Sequence, residues 1–265
     1  MKFGKNYSYL EILQYLLNLQ QKYPDKVTVE SIGMTFDMRS IPMLIFGAGK
    51  KNIVVTGGVH GRESINPIVL IQMAEDYITK KESVFKNKGC IYMIPLLNPD
   101  GYEISRMDHA LWKNNANGVD INRNFPSKTF EEKWEDDKPG SEAETKALMK
   151  IFYRVNPDGY LDFHSRGKSI FYYRSQMNDA YNAKQLKIAK ALATSTGYTL
   201  EEPDHEIDAS DSGGNTVHFF SEYFEKPALT IETVAEEERF PLDVRLQRET
   251  YNEIKDTLRV FLKTI

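Results

Sequence analysis

The sequence predicts an α/β fold: a single domain over residues 1–265, built on a mixed, mostly parallel twisted sheet with helices on both faces. Three observations predict it. Short apolar runs alternate with segments of helical periodicity, the pattern of a sheet covered on both sides. The first apolar runs are separated by breaks too short for crossovers, so part of the sheet must be antiparallel. A length of 265 residues and a hydrophobic share of 41% suit one large core, and no repeat, low-complexity tract or linker divides it.

The elements follow in order. In MKFGKNYSYLEILQYLLNLQQKY, Lys2 and Lys5 mimic the charged start of a signal peptide. Glu11 and Gln14 interrupt its apolar part, however, and no small-residue cleavage site follows. Leu10, Leu13 and Leu17 stand at helical spacing, which predicts an amphipathic first helix carrying them as its apolar face. Strands are expected over Lys26–Met34, Ser40–Ala48 and Asn52–Gly58. A helix runs from Ile65, with Pro67 tolerated in its first turn. Gly89–Asn98 reads as a buried strand, and the stretch from Asn98 to Gly140 as one long loop region, of the kind that is usually functional. Ser141 with Glu144 three residues later predicts a capping box and a helix. GYLDFHS and KSIFYYR read as strands. NDAYNAKQLKIAKALATSTG reads as a helix stopped by Gly197. PALTIETV is a further strand, and a helix from Val244 to Leu262 closes the chain.

Composition narrows the function. Lys and Arg total 34 against 38 Asp and Glu, a net charge of −4, so neither nucleic acid nor an anionic membrane is indicated. Cys90 is the one cysteine, which excludes an internal disulfide and predicts a buried small hydrophobe. No stretch approaches the roughly 20 apolar residues of a membrane span. A cytoplasmic protein is expected, with export by an unrecognised route left open, and no partner protein is implied.

Ligands of open α/β sheets sit at the carboxyl ends of strands. There the sequence places His60 and Glu63 in TGGVHGRE, His164 in DFHS and Glu232 in TIET. Two imidazoles and a carboxylate make a three-donor zinc site with an open fourth position, and a further carboxylate can serve as general base. Cobalt would also suit those donors. Taken alone, an H-x-x-E pair is common by chance, and His164 could be a hydrogen-bonded strand-end histidine. Glu232 is less bland, because a carboxylate in an apolar strand is costly to bury unless paired or functional. His109, His205 and His218 have no such setting and read as structural.

Together, GVHGRES, GVDINRNFP, DFHS and LTIET resemble the zinc carboxypeptidase family of the carboxypeptidase A/B type. The motifs stand in that family's order, and the likeness runs from about Tyr7 to the C-terminus. The resemblance implies that His60, Glu63 and His164 bind one zinc ion. Glu232 would activate the attacking water and pass its proton to the leaving amine. Asn122 and Arg123 would hold the carboxylate of a peptide substrate, with Arg62 and Ser165 lining the groove. Asp120 matches the aspartate that steadies the first histidine; a plain turn carboxylate is the competing reading. Lys113 stands where the family has an arginine that polarises the scissile carbonyl. Ala209 replaces a family tyrosine. Thr216 falls on the position that sets side-chain preference, where members favouring basic residues carry aspartate.

WKNNANGVDINRNFP and DFHSRGKSIFYY look closer to the bacterial branch, which includes γ-D-glutamyl-meso-diaminopimelate peptidases. That points to a peptidoglycan stem peptide, whose polar side chain Thr216 and Asn215 would suit. Arg166 could meet a carboxylate or be a solvated surface arginine. A general carboxypeptidase, an aspartoacylase-like deacylase and a non-catalytic peptide-binding module remain the alternatives.

Overall fold

The computed structural model describes residues 1–79, 89–107, 109–132, 138–206 and 213–265. Its strands are β1 (Val27–Met34), β2 (Ser40–Gly47), β3 (Lys51–Thr56), β4 (Gly89–Ile94), β5 (Gly159–Ser165), β6 (Ser169–Phe171), β7 (Thr199–Leu200) and β8 (Ala228–Thr233). They form one sheet in the order β1-β2-β4-β3-β5-β8-β6-β7. The pairs β3–β4, β3–β5, β5–β8 and β6–β7 are parallel; β1–β2, β2–β4 and β6–β8 are antiparallel. The sheet is therefore mixed and mostly parallel, as the short early connections require.

Alternate residues of the central strands feed two cores, as a pleat of period two demands. Ile53, Val55, Leu161, Phe163, Leu229 and Ile231 join one, and Val54, Tyr160 and Ala228 the other. The first face is covered by α1 (Tyr9–Lys22), α2 (Ile65–Thr79), α5 (Asp179–Thr196), α7 (Leu246–Ile254) and α8 (Thr257–Thr264). The second is covered by α4 (Ala143–Val155) and α6 (Thr216–Phe224). Among the described residues no helix is long and apolar enough to cross a membrane.

Several expectations need correction. The first helix forms, but Leu10 and Leu17 are exposed, at 71% and 44%. Tyr9, Ile12, Leu16 and Leu19 face the core instead. That alternative stripe buries two β-sheet-facing aliphatics completely, worth roughly 1.5–3 kcal/mol each. The capping box belongs to this helix: Ser8 Oγ accepts from Glu11 N, while the Ser8 N–H donates to the Glu11 carboxylate. At α4 the expected box is absent. Glu142 takes the cap position without a side-chain capping bond. Ser141 Oγ donates to Glu142 Oε1 at 2.7 Å, and Glu144 accepts from Asn115 Nδ2 at 3.3 Å, so both residues are engaged elsewhere.

The strand expected to reach Asn98 stops at Ile94, because Pro95 has no N–H for the ladder. The stretch after it is not all loop. α3 (Pro99–Met107) lies within it, with Pro99 at its first position and Asn98 Oδ1 accepting from Gly101 N at 2.8 Å. α6 is a second helix without an expected counterpart. KSIFYYR contributes only three strand residues. The closing helix is broken at Lys255–Asp256, where Thr257 Oγ1 donates to the Ile254 carbonyl, a local bond that competes with helix continuation. Cys90 is half-buried on β4 rather than in the core.

Candidate active site

Chain crossings at the carboxyl ends of β3, β5 and β8 build the site. After β3 the chain turns through Gly57–Ser64 before α2 begins. Gly61 lets this turn press against α3: a Cβ there would lie 2.2 Å from the Gly101 carbonyl oxygen. Gly61 N donates to the Lys113 carbonyl at 2.9 Å, tying the Lys113 loop to the same turn. His60 and Glu63 are thereby held at the end of β3, both buried. His164 on β5 is in register with Glu232 on the parallel neighbour β8.

Three side chains converge. His60 Nδ1 lies 2.6 Å from Glu63 Oε1, and His164 Nδ1 lies 3.3 Å from both Glu63 Oε2 and His60 Nδ1. Their donor atoms fall within 4.8 Å of one another, and they form the one such cluster of His, Cys, Asp and Glu found among the described residues. Burial would raise the Glu63 carboxyl, but the two facing imidazoles outweigh it and hold the group down at about 2. Glu63 Oε2 is shielded from solvent and has no hydrogen-bond partner. Two imidazole nitrogens aimed at each other beside an unsatisfied carboxylate oxygen are costly without a cation between them. The donor set of two histidines and a glutamate suits zinc.

Each histidine presents its other nitrogen to an aspartate. His60 Nε2 is 3.1 Å from Asp120 Oδ1. His164 Nε2 is 3.0 Å from Asp162 Oδ2, an ion-pair contact not aligned as a hydrogen bond. Such carboxylates fix ring orientation and leave the opposite nitrogen free to ligate. Asp120 also receives Lys113 Nζ at 2.6 Å and the Asn122 N–H at 3.0 Å. Burial pushes its carboxyl up, but His60 first and then Lys113 and Arg123 pull it well below the usual range. Asp120 is thus more than a turn carboxylate. Asp162 was not signalled by the sequence. It is fully buried, and Thr56 and Thr216 hydroxyls donate to it.

Glu232 stands beside this cluster and outside it. Its Oε2 is shielded and unpartnered. Burial raises its carboxyl to about 8, with Glu63 and Asp162 adding to the rise while His164 and Lys113 oppose it. A cation held by the neighbouring donors would oppose that rise and favour the ionised carboxylate, the form that accepts a proton from water.

These groups open into a cavity of about 400 Å³. Arg62, Lys113, Asn122, Arg123 and Ser165 all line it. Thr216 does not. It is fully buried, with its N–H and hydroxyl on Asn122 Oδ1 at 3.0 and 3.3 Å, so it fixes Asn122 from behind instead of touching a substrate. Ala209 lies outside the described residues. The cavity wall also carries Arg166, which the sequence leaves between two readings, the exposed His205, which reads there as structural, and Glu206, Thr230 and Phe240, which no motif singles out. Glu206 is held by Arg174 and by His218 Nε2, the latter at 2.7 Å, and both meet its Oε1. Its partners lie 32 and 12 residues away, so no local pattern could reveal it.

A family model described as zinc carboxypeptidase matches residues 12–253. Carboxypeptidase B of Astacus astacus is 28% identical over 192 residues, covering 62% of this chain and 63% of its own. A Saccharomyces cerevisiae protein named inactive metallocarboxypeptidase ECM14 is 29% identical over 192 residues, covering 61% of this chain and 45% of its own. The match thus spans less than two thirds of the length of these curated relatives. Among solved structures, bovine thrombin-activatable fibrinolysis inhibitor in complex with tick carboxypeptidase inhibitor overlaps with a TM-score of 0.85 at 20% identity, over 98% of this chain and 97% of that one. Murein-tripeptide amidase MpaA of Escherichia coli O157 overlaps at 0.61 and 21% identity, over 91% and 92%. These structural likenesses speak for the fold.

Proposed function

The chain belongs to the zinc carboxypeptidase family, and from that premise we propose that it hydrolyses the amide bond next to a free C-terminal carboxylate. The observation that carries this is the joint presence, in one cavity, of a His–Glu–His donor cluster, an unpaired carboxyl beside it, and Asn122 with Arg123. A relative named inactive shows that membership alone does not carry activity. The reading rests on the full set being present here.

His60, Glu63 and His164 would hold the zinc ion, which would supply Lewis-acid polarisation to a water and to the scissile carbonyl. Glu232 takes the proton from the attacking water and delivers it to the leaving amine. Arg123 and Asn122 grip the terminal carboxylate, the guanidinium through paired N–H groups. Lys113 supplies positive charge toward the developing oxyanion, as a point donor tethered by Asp120. Asp120→Asn removes the negative charge that orients His60. It is expected to weaken zinc binding about 10- to 100-fold while preserving the fold. Competition against a zinc-chelating dye checks this, and unchanged affinity would remove Asp120 from the account.

For the substrate, the wall favours a polar side chain. Glu206, Thr230 and Asn215 line it beside the apolar Phe171 and Val217. A C-terminal residue ending in an amine can meet Glu206, which suits a peptidoglycan stem peptide of the γ-D-Glu–meso-diaminopimelate type. The test is hydrolysis of L-Ala-γ-D-Glu-meso-diaminopimelate beside N-blocked dipeptides, each with zinc and with chelator. Zinc-dependent release of diaminopimelate alone is expected. Release of ordinary C-terminal residues would make the protein a general carboxypeptidase. Silence on both with zinc bound would return the deacylase and binding-module readings.

A further inference from the structure

Arg166, which the sequence left between a solvated surface residue and a carboxylate partner, lies on the cavity wall together with Arg62. Both guanidinium groups rest against one ring, that of Phe240, with their central carbons 4.6 Å (Arg62) and 5.9 Å (Arg166) from its centroid. The Nε of each is buried and has no hydrogen-bond partner. Neither arginine has an ion pair among the described residues. Glu236, exposed on the same wall, is paired to neither. Two like charges brought to one aromatic ring, both partly desolvated and both lacking an acid, form a site prepared for an anion.

Sheet register gives the position of this site relative to the chemistry. On β5 and β8, Asp162 pairs with Thr230, His164 with Glu232, and Ser165 with Thr233. Asn122 is fixed through Thr216 to Asp162, whose partner Thr230 precedes Glu232 on β8, so the anchors of the leaving residue are tied to the strand segment before Glu232. Arg174, which holds Glu206, donates to the Ala228 carbonyl, deeper again. Arg166 instead follows Ser165, and Gly167 N donates to the Val234 carbonyl at 2.8 Å, on the far side of Glu232. Phe240 lies further along the same outgoing chain. The depth order is leaving-residue anchors, chemistry, arginines. The arginines therefore face the acyl side of the bond that is cut.

We propose that Arg62 and Arg166, set against Phe240, clamp a second carboxylate carried by the substrate on the acyl side of the scissile bond. This rests on the peptidase reading above and deepens it: the substrate presents two carboxylates, one on each side of the cleaved amide. A γ-linked glutamyl residue meets the requirement, since its α-carboxylate stays free beside the bond. An α-linked aspartyl or glutamyl residue offers the same group on a side chain.

The test compares substrates that share a C-terminal residue and differ on the acyl side only in a carboxylate or its carboxamide. Two such pairs are γ-D-Glu against its α-amide, and α-linked Glu against Gln. The zinc-loaded wild type is expected to favour the acid by at least about tenfold in kcat/KM, as a charge-assisted pair commonly provides. In Arg166→Gln the ratio should fall to within about threefold of unity, with Arg166→Lys between. A ratio near one in the wild type, or one kept in Arg166→Gln, would overturn the clamp. Binding of the same pairs to zinc-loaded Glu232→Gln, by calorimetry, separates the two levels. Cleavage without acid preference sinks the clamp and leaves the peptidase reading. Acid preference in binding with no cleavage by the wild type does the reverse.

Discussion

Glu232→Gln is expected to leave zinc binding intact and to lower kcat about a thousand- to ten-thousandfold. The amide keeps the size of the side chain but cannot take a proton from water. General acid–base catalysis commonly supplies up to about 10⁴ in rate, and here one group serves both the attack and the departure of the amine. Glu232 is outside the three-donor cluster, so the metal should be held as before. The variant should also be at least as stable without metal. Burial near Glu63 and Asp162 raises the Glu232 carboxyl to about 8, so at neutral pH the folded state resists its ionisation. A neutral amide relieves that resistance. A thermal melt of the metal-free proteins checks the sign, and a clear loss of stability would mean that Glu232 has a structural partner.

Arg123→Met is expected to cost about 10²- to 10³-fold in kcat/KM on peptides with a free C-terminus. Hydrogen bonds to charged groups are worth roughly 1.5–3 kcal/mol, and a guanidinium can offer two to one carboxylate. The same variant should lose the preference for a free acid over a C-terminal amide, because the amide never had the charged partner. Arg123→Lys should recover only part, since an ammonium is a point charge without the fork. Its support is built in: Arg123 Nη1 donates to the Asn122 carbonyl at 2.8 Å, and Asn122 is pinned by Thr216. Full retention of acid preference in Arg123→Met would place the carboxylate anchor elsewhere.

The legible parts of this protein are those with a local cause. β3, β5 and β8 could be read because apolar runs end at polar turn residues, and the donors could be read because His60 and Glu63 are three apart. α1 was legible as a helix but not in its phase. Leu10 and Leu17 are as apolar by type as Ile12, Leu16 and Leu19, so the helix offers two apolar stripes and the sheet below selects the second. α3 was hidden by Asn-Pro-Asp-Gly, a string equally suited to a turn and to a capped helix start. Asp162 looked like one more strand residue; its place under His164 comes from pleat direction and neighbouring strands. Glu206 and Thr216 show the same limit. Their surroundings are assembled from segments far apart in sequence, so residue type gave no guide to which way they face.

The most direct measurement is release of the C-terminal residue from a free-acid peptide by zinc-loaded wild type and zinc-loaded Glu232→Gln, with bound zinc quantified in both. One zinc per chain in each, with turnover in the wild type abolished by chelator and nearly absent in the variant, is the predicted result. Equal turnover by the two proteins, or a zinc-loaded wild type that releases no residue from any peptide, would contradict it.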